Sequence, residues 1–218
     1  MFQALLDLLF PRRSLRGEEG AWITENERRT LKLTPALLTT TDLRKRGLKS
    51  IDAVVAAGSY DTSPLLKKAV LTLKLRGIED IAEELGHRMA DAVHGLLILP
   101  KHLQDTTPIL CPVPLHWTRR FHRGFNQADL LARAVSRELA WDVRPILERT
   151  RRTGKQALRA RHERLSAMTD AFKSTVHPPR VVILIDDLCT TGATLDACAS
   201  AVKDAGTEYV AALVAGLG

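Results

Sequence analysis

The chain lacks the features of a membrane-spanning or exported protein. Its longest apolar runs are far below the roughly 20 residues that a bilayer-spanning helix requires. The opening stretch MFQALLDLLF is apolar, but it contains Asp7 and has neither a cationic start nor a small-residue cleavage site. Such a stretch is typical of a short amphipathic helix and not of a signal peptide. We therefore expect a cytoplasmic protein with no membrane span.

Cysteine is scarce, which excludes a disulfide framework and a thiolate metal site. The three cysteines, Cys111, Cys189 and Cys198, include no C-x-x-C pair. Free thiols in a reducing compartment are the simple interpretation. His116 and His122 fit neither a metal-ligand spacing nor a catalytic triad, so the sequence predicts no metal bound by the protein itself.

Aromatic residues make up only 5% of the chain, and the three tryptophans are too scattered to form a stacking platform. Hydrophobic residues at 45% and charged residues at 26% are typical of a soluble globular protein. The formal net charge of +7 indicates an anionic partner: nucleic acid, phosphate groups or both.

The 218 residues are enough for one sizeable α/β domain with a small appendage. Residues 1–50 are polar with weak periodicity, which indicates either a small appended unit or a poorly packed arm. From 51 to 218 strands alternate with helices, which predicts a mostly parallel, doubly wound sheet flanked by helices. The predicted strands are 52–60, 108–115, 180–186 and 209–217, and the predicted helices are 63–77, 78–97, 125–140 and 193–205.

The stretch VVILIDDLCTTGATL, residues 181–195, carries the clearest chemistry. Five aliphatic residues predict a central strand covered on both faces. Asp186 and Asp187 follow at its carboxyl end, where ligands of open parallel sheets lie. Two adjacent carboxylates repel each other unless a ligand compensates, and a vicinal diol donates hydrogen bonds to both. A nearby Mg²⁺ is the alternative.

The loop that follows the two aspartates predicts a phosphate site. Gly192 permits a positive φ or a close backbone approach. The hydroxyls of Thr190, Thr191 and Thr194, with the amide groups at the start of the next helix, form a phosphate cradle. Diol acceptors and a phosphate cradle a few residues apart together predict one ligand, a ribose 5-phosphate.

This stretch resembles the signature of the phosphoribosyltransferase fold for phosphoribosyl pyrophosphate (PRPP). Three further stretches, CPVPLHWTRRFHRGFNQADLLA (111–132), LKLRG (73–77) and RTRRTGKQALRARHER (149–164), resemble the ComF family of bacterial phosphoribosyltransferase-like proteins associated with DNA uptake. The resemblance covers roughly residues 51–218, and RGFNQ followed by a helix is its most distinctive part.

The resemblance implies a role for each matching residue. It implies that Asp186 and Asp187 hold the ribose hydroxyls, and that Mg²⁺ accompanies PRPP. The 5′-phosphate loop would comprise Thr190, Thr191, Gly192, Ala193 and Thr194. The candidates facing pyrophosphate or another polyanion are Lys74, Arg76, Pro112, Val113, Arg123, Gln156 and Arg164. The family's RGFNQ motif supplies Gly124, Phe125, Asn126 and Gln127, with Asn126 a candidate helix cap and Phe125 open between packing and base stacking.

One departure from the family concerns the N-terminal segment. Family members usually carry a zinc ribbon there with two C-x-x-C pairs. The corresponding positions in this chain are Ser14, Gly17, Thr24 and Glu27, so the spacing survives and every sulfur is missing. We therefore expect no zinc in this segment.

Three functional hypotheses remain open at this point. The first is a Mg²⁺-dependent phosphoribosyltransferase acting on PRPP and an unidentified acceptor, although no general base stands out in the sequence. The second is a non-catalytic module that handles single-stranded DNA alongside other DNA-uptake proteins, for which the basic run 149–164 is the main motivation. The third is a regulator that senses PRPP.

Overall fold

The computed structural model of the chain describes residues 12–96, 99–115, 124–150 and 171–218. Its helices and strands alternate along most of the chain. In chain order they are α1 (Glu25–Thr30), β1 (Ala36–Leu38), α2 (Thr40–Lys45), β2 (Ala53–Ser59), α3 (Pro64–Arg76), α4 (Glu79–Leu96), a 3₁₀ turn (Lys101–Leu103), β3 (Ile109–Pro112), α5 (Gln127–Leu139), β4 (Leu147–Arg149), β5 (Phe172–Ser174), β6 (Val181–Cys189), α6 (Ala193–Asp204) and β7 (Tyr209–Leu217).

A five-stranded sheet in the order β1-β2-β7-β6-β3 forms the centre of the molecule. All its neighbouring pairs are parallel except β1 with β2. Side chains of β6 alternate between two cores: Ile183 and Ile185 pack with α3, α4 and α5, whereas Val182 and Leu184 pack with α6 on the opposite face. The predicted α/β class with a mostly parallel sheet flanked by helices is confirmed.

Local sequence signals explain where the main helices begin. Ser63 caps α3 by accepting a hydrogen bond from the Leu66 amide, and Pro64 occupies the first helical position, as the sequence predicts. Asn126 caps α5 in the same way through the Ala128 amide, so that helix begins at Gln127, two residues after the predicted start at Phe125.

Strand β6 is longer than predicted. It continues to Cys189 instead of ending at 186, because β7 runs on to Leu217 and pairs with it to the end. Its other neighbour, β3, ends at Pro112 opposite Ile185. Asp186 and Asp187 therefore lie within β6, just past the carboxyl end of β3.

The N-terminal segment shares the core of the rest of the chain. Strand β1 is an antiparallel edge strand on β2. Leu15, Ile23 and Leu31 are buried in the core formed with α3, α4 and α5. Arg28 pairs with Glu84 of α4 at 2.7 Å. The described part of residues 1–50 is thus packed against the same sheet, and the poorly packed arm considered from the sequence is wrong for it.

Two sequence predictions lie outside the described residues: the amphipathic helix at 1–10 and most of the basic run 149–164. Within the described ranges, no helix combines the length and the apolarity that crossing a bilayer demands.

Candidate functional site

Asp187 is the centre of a buried polar cluster that joins three of the sequence motifs. The residue is only 4% exposed. Lys74 of the LKLRG stretch places Nζ 3.1 Å from Asp187 Oδ1, and Gln127 of the RGFNQ stretch donates from Nε2 to Asp187 Oδ2 at 3.0 Å. A buried carboxylate needs this kind of pairing, because an unpaired buried charge is costly.

Asp186 has a different environment from its neighbour. Its side chain is half-buried, and its Oδ1 accepts a hydrogen bond from the Asp187 amide at 2.8 Å. Burial, and after it the negative charge of Asp187, raises the pKa of Asp186 to about 7, although that amide and the positive charges of Lys74 and Arg149 oppose the shift. Asp186 therefore changes charge near neutral pH, and it is a candidate proton acceptor that the sequence did not reveal.

The TTGAT loop connects β6 to α6 at the same end of the sheet. Thr190 and Thr191 are exposed, and Gly192 is the N-cap of α6 with φ of 78°. As a glycine, Gly192 offers no capping side chain; Thr191 Oγ1 accepts only a long contact of 3.4 Å from the Ala193 amide. The start of this twelve-residue helix, with its amide groups, therefore lies next to two exposed threonines, an arrangement that suits a phosphate group.

The TTGAT loop is held in place by the N-terminal segment. A Cβ at Gly192 would lie 2.5 Å from Leu48 Cδ1, so the loop and residue 48 are in close contact. Asp196, in the first turn of α6, accepts hydrogen bonds from the amides of Lys49, Ser50 and Ile51 at 2.7–3.0 Å. These contacts position the start of α6 from outside the motif.

The RGFNQ stretch connects the other two motifs. Phe125 packs against Gly77, where a Cβ would lie 2.8 Å from its ring, and stacking of Phe125 on a base stays a prediction. Asn126 Nδ2 donates to the Val113 carbonyl at 3.2 Å. LKLRG, PVPL and RGFNQ therefore meet beside Asp187, as expected for parts of one site.

Some candidates for pyrophosphate contact are already engaged within the protein. The Val113 amide donates to the Ile185 carbonyl at 2.9 Å. It cannot donate to a ligand without losing that bond, and Pro112 has no amide hydrogen. A contact of Pro112 or Val113 with pyrophosphate would therefore have to use other atoms, and it stays a prediction. Lys74 contacts Asp187, and the Arg76 guanidinium lies over the Trp22 ring, 5.5 Å from its centroid.

Gly124, with φ of 76°, lies at the edge of a described range, and no atom of the described residues lies within 4 Å of where its Cβ would be. Arg123, Gln156 and Arg164 lie outside the described residues, so their predicted contacts with a polyanion stay predictions.

Several residues that shape the site carry no signal in the sequence. Asp196 was missed because its partners lie about 145 residues away in the chain. Arg149 stood out only as part of a basic run, yet its positive charge opposes the rise in the pKa of Asp186. Arg46 is an exposed residue of the N-terminal segment, and its positive charge opposes the rise in the pKa of Cys189 beside the TTGAT loop. Only a tertiary structure brings these pairs together.

The three thiols are packing groups. Cys111, Cys189 and Cys198 are buried. Burial raises the pKa of Cys189 to about 11 and that of Cys111 to about 12, and it raises the pKa of Cys198 as well. A cysteine with a raised pKa is a poor nucleophile at neutral pH, so Cys189 is not activated by its position before the helix.

The four positions that correspond to zinc ligands are joined by hydrogen bonds, with the Glu27 carboxylate at the centre of the network. Glu27 is fully buried, and its carboxylate accepts from the Ser14 hydroxyl at 2.9 Å and from the Thr24 amide at 2.8 Å. The Gly17 amide donates to the Ser14 carbonyl at 3.0 Å. Oxygen atoms and amides thus occupy the centre of this segment, a donor set that does not suit structural zinc.

Comparison with known proteins finds no matching family model, but it does find curated relatives. Competence protein F of Haemophilus influenzae is 35% identical over 106 residues, 46% of each chain. DNA utilization protein YhgH of Escherichia coli is 32% identical over 143 residues, 62% of this chain and 60% of the relative. Competence protein ComFC of Bacillus subtilis is 30% identical over 148 residues, 67% of this chain and 57% of the relative.

The chain thus spans about half to three fifths of the length of these curated relatives. Their names agree with the family that the motifs RGFNQ, PVPL and VVILIDDLCTTGATL indicate. The resemblance is confirmed, and the chain is a homologue of the ComF-family proteins.

Proposed function

We propose that the protein recognises a ribose 5-phosphate moiety, such as that of PRPP, at the carboxyl end of β6. The observation that supports this most is that Asp186, near the carboxyl end of β6, and the start of α6, which has no side-chain cap, lie on either side of the short TTGAT loop. The 5′-phosphate would bind the amides and hydroxyls of residues 190–194, and the ribose hydroxyls would donate to Asp186.

Asp186 and Asp187 would divide the work at this site. Asp187 already pairs with the Lys74 ammonium through Oδ1 and accepts from Gln127 through Oδ2, so Asp187 orients these side chains as well as contributing charge. Asp186 keeps an oxygen without a protein donor among the described residues, which suits a hydroxyl or Mg²⁺. Mg²⁺ would neutralise the pyrophosphate of PRPP.

Titration calorimetry with PRPP and Mg²⁺ tests this proposal. Asp186→Asn should weaken binding at least ten-fold while the fold is kept, because an amide nitrogen cannot accept from a hydroxyl. Asp61→Asn, an exposed acid that follows β2, is the matched control and should bind like the wild type. Equal affinity in Asp186→Asn and wild type would contradict the proposal.

Transfer chemistry is a separate part of the proposal. In a phosphoribosyltransferase, pyrophosphate leaves C1 of the ribose while a positively charged sugar develops, and preorganised donors stabilise the departing anion. Pyrophosphate release from PRPP in the presence of a panel of bases measures turnover. Tight PRPP binding with no release for any acceptor would leave a sensor of PRPP and exclude the enzyme for that panel.

We also propose a role in handling single-stranded DNA during DNA uptake. The names of the relatives, competence proteins and DNA utilization proteins, favour it, as does the net charge of +7. Binding to a labelled single-stranded oligonucleotide should weaken steeply with salt, because phosphate contacts release counterions. No binding at low salt would reject this role and leave the sugar-phosphate proposal standing.

A further inference from the structure

A second cavity region, away from Asp186, lies between the N-terminal segment and the start of α3. Its volume is about 470 Å³. One wall is formed by Arg16 and residues from 30 to 34, and the other by Ser59 and residues from 62 to 68. We call it the Lys32–Lys68 groove, after two lysines of its lining.

The charge of the groove is entirely positive. Arg16, Lys32 and Lys68 are exposed, and among the described residues no acidic one lines the groove. Arg16 donates to the Thr30 hydroxyl at 3.1 Å, a neutral partner. Within the described part of the chain, neither Lys32 nor Lys68 pairs with a carboxylate, unlike Lys67 and Lys74 on the same helix as Lys68. The groove therefore attracts anions.

The remaining lining suits a phosphodiester strand better than a small ion. Hydroxyl groups line the groove, and those of Thr34, Ser59, Thr62 and Ser63 can donate to phosphate oxygens. The Thr30 hydroxyl already donates to the Asn26 carbonyl at 2.9 Å. Half-buried Leu33 and Leu65 add apolar surface that a sugar or base can cover. The cavity is also several times larger than a single phosphate group, which is no larger than about two water molecules of roughly 30 Å³ each.

The groove and the sugar-phosphate site lie at the same edge of the sheet. Tyr60 connects them, because it follows Ser59 of the groove in the sequence. A Cβ placed at Gly218 would lie 3.7 Å from Tyr60 Cβ and 3.7 Å from Thr190 Cγ2 of the TTGAT loop. The Tyr60 amide also donates to the Leu217 carbonyl at 2.8 Å. A nucleic-acid strand bound in the groove would therefore pass close to the TTGAT loop.

We infer that the Lys32–Lys68 groove binds the phosphate backbone of single-stranded nucleic acid. The inference rests on the proposed DNA-handling role and adds the surface that performs it. Lys32, Lys68 and Arg16 supply the charge, and the hydroxyls fix the position of the phosphates. The groove contains no side chain of the sugar-phosphate site, so the two activities can be separated by substitution.

Fluorescence anisotropy with a labelled oligothymidylate of about 16 nucleotides, at several salt concentrations, tests the inference. Lys32→Ala/Lys68→Ala should bind roughly ten-fold more weakly, and the slope of log affinity against log salt should fall by about 1.4, or about 0.7 for each lost phosphate contact. The matched control is Lys101→Ala/Lys173→Ala, which removes two exposed lysines elsewhere and should change affinity less than about two-fold.

The outcomes separate this inference from the role on which it rests. If wild type binds the oligonucleotide and both double variants bind alike, the groove is not the surface and the DNA-handling role survives. If wild type does not bind, both fail. Calorimetry with PRPP forms the second arm: a groove variant that loses PRPP affinity and keeps oligonucleotide affinity would assign the groove to pyrophosphate and overturn the inference. Circular dichroism confirms that both variants are folded.

Discussion

Gln127 donates a hydrogen bond to Asp187 at 3.0 Å, across 60 residues of sequence. With Lys74 on the other oxygen, this contact satisfies a carboxylate that is almost fully buried. The two residues explain why the RGFNQ stretch and the paired aspartates occur together in one chain: the first supplies a donor that the second requires.

The pair of Lys74 with Asp187 should matter greatly for stability. Lys74→Met leaves a buried carboxylate without its cation, so we expect the free energy of unfolding to fall by about 3 kcal/mol in denaturant titrations. Lys67→Met, on the same helix, is the control: its partner Asp61 is exposed and 4.0 Å away, so the loss should stay below about 0.5 kcal/mol.

A double variant sharpens this test. Asp187→Asn in the Lys74→Met background removes the unpaired charge, so part of the lost stability should return. Equal losses in Lys74→Met and Lys67→Met would show that the buried pair contributes nothing special.

Gly192 should tolerate substitution less well than Gly124, although both have a positive φ of similar size, 78° and 76°. Gly124→Ala should cost about 1–2 kcal/mol from backbone strain alone, because no described residue lies within 4 Å of its Cβ position. Gly192→Ala adds a clash with Leu48 and should cost about 1–3 kcal/mol more. Thermal and chemical unfolding of both variants gives the comparison.

Leu48→Ala identifies the cause of that difference. If the clash is responsible, the cost of Gly192→Ala will be smaller in the Leu48→Ala background than in the wild type. The same cost in both backgrounds would assign the effect to the backbone.

Asp186 should make stability decline towards neutral pH. Its pKa of about 7 in the folded chain lies above its ordinary value of 3.8, so the fold favours the protonated form. The stabilisation is complete below the unfolded value and is lost as pH rises to about 7. Asp186→Asn, neutral throughout, should exceed the wild type by on the order of 2 kcal/mol near pH 8, less than the full shift would give because the side chain is partly exposed.

Urea titrations at about pH 4 and about pH 8 measure this effect. The free energy of unfolding of Asp186→Asn relative to the wild type should rise between the two pH values, whereas that of Asp105→Asn, which alters an exposed carboxylate, should not. A decline of the same size in all three proteins would mean that Asp186 does not cause it.

Glu27 should stabilise the N-terminal segment as a carboxylate. Burial raises its pKa, but hydrogen bonds from Thr24, Ser14, Arg16 and Leu15 together outweigh burial and lower it below 4.5. The stabilisation is present above pH 4.5 and is lost as the pH falls. Glu27→Gln should therefore cost about 2 kcal/mol at neutral pH, with a smaller difference in acid.

The matched control for Glu27 is Glu25→Gln in the same helix. Glu25 is exposed and pairs with Arg29 at 3.3 Å, so its loss should change the free energy of unfolding by no more than about 0.5 kcal/mol. A Glu27→Gln variant as stable as Glu25→Gln would show that the Glu27 carboxylate does not stabilise this hydrogen-bond network.

The parts of the fold that the sequence predicts are those with local causes. Ser63 with Pro64 and Asn126 mark helix starts through contacts within three residues, and the aliphatic run 181–185 marks a buried strand. The α/β class follows from the alternation of such elements. The TTGAT loop was recognisable as a candidate phosphate site because its residues are contiguous.

The parts that the sequence does not predict have distant causes. The extension of β6 to Cys189 depends on β7, and the support of α6 by Asp196 depends on residues 49–51. The order of the N-terminal segment depends on β1 joining β2 and on Glu27, whose short polar neighbours give no periodic pattern. Even the use of the Val113 amide by Ile185 is a property of the sheet.

Both edges of the central sheet are covered by segments that are not part of the TTGAT loop. β1 pairs along β2, and on the far side the backbone of residues 142–144 bonds to Leu110 of β3. Exposed strand margins invite other polypeptides to add on. A shortened protein without residues 1–50 would therefore expose the unpaired backbone groups of β2. It should precipitate or self-associate before any loss of ligand recognition could be measured.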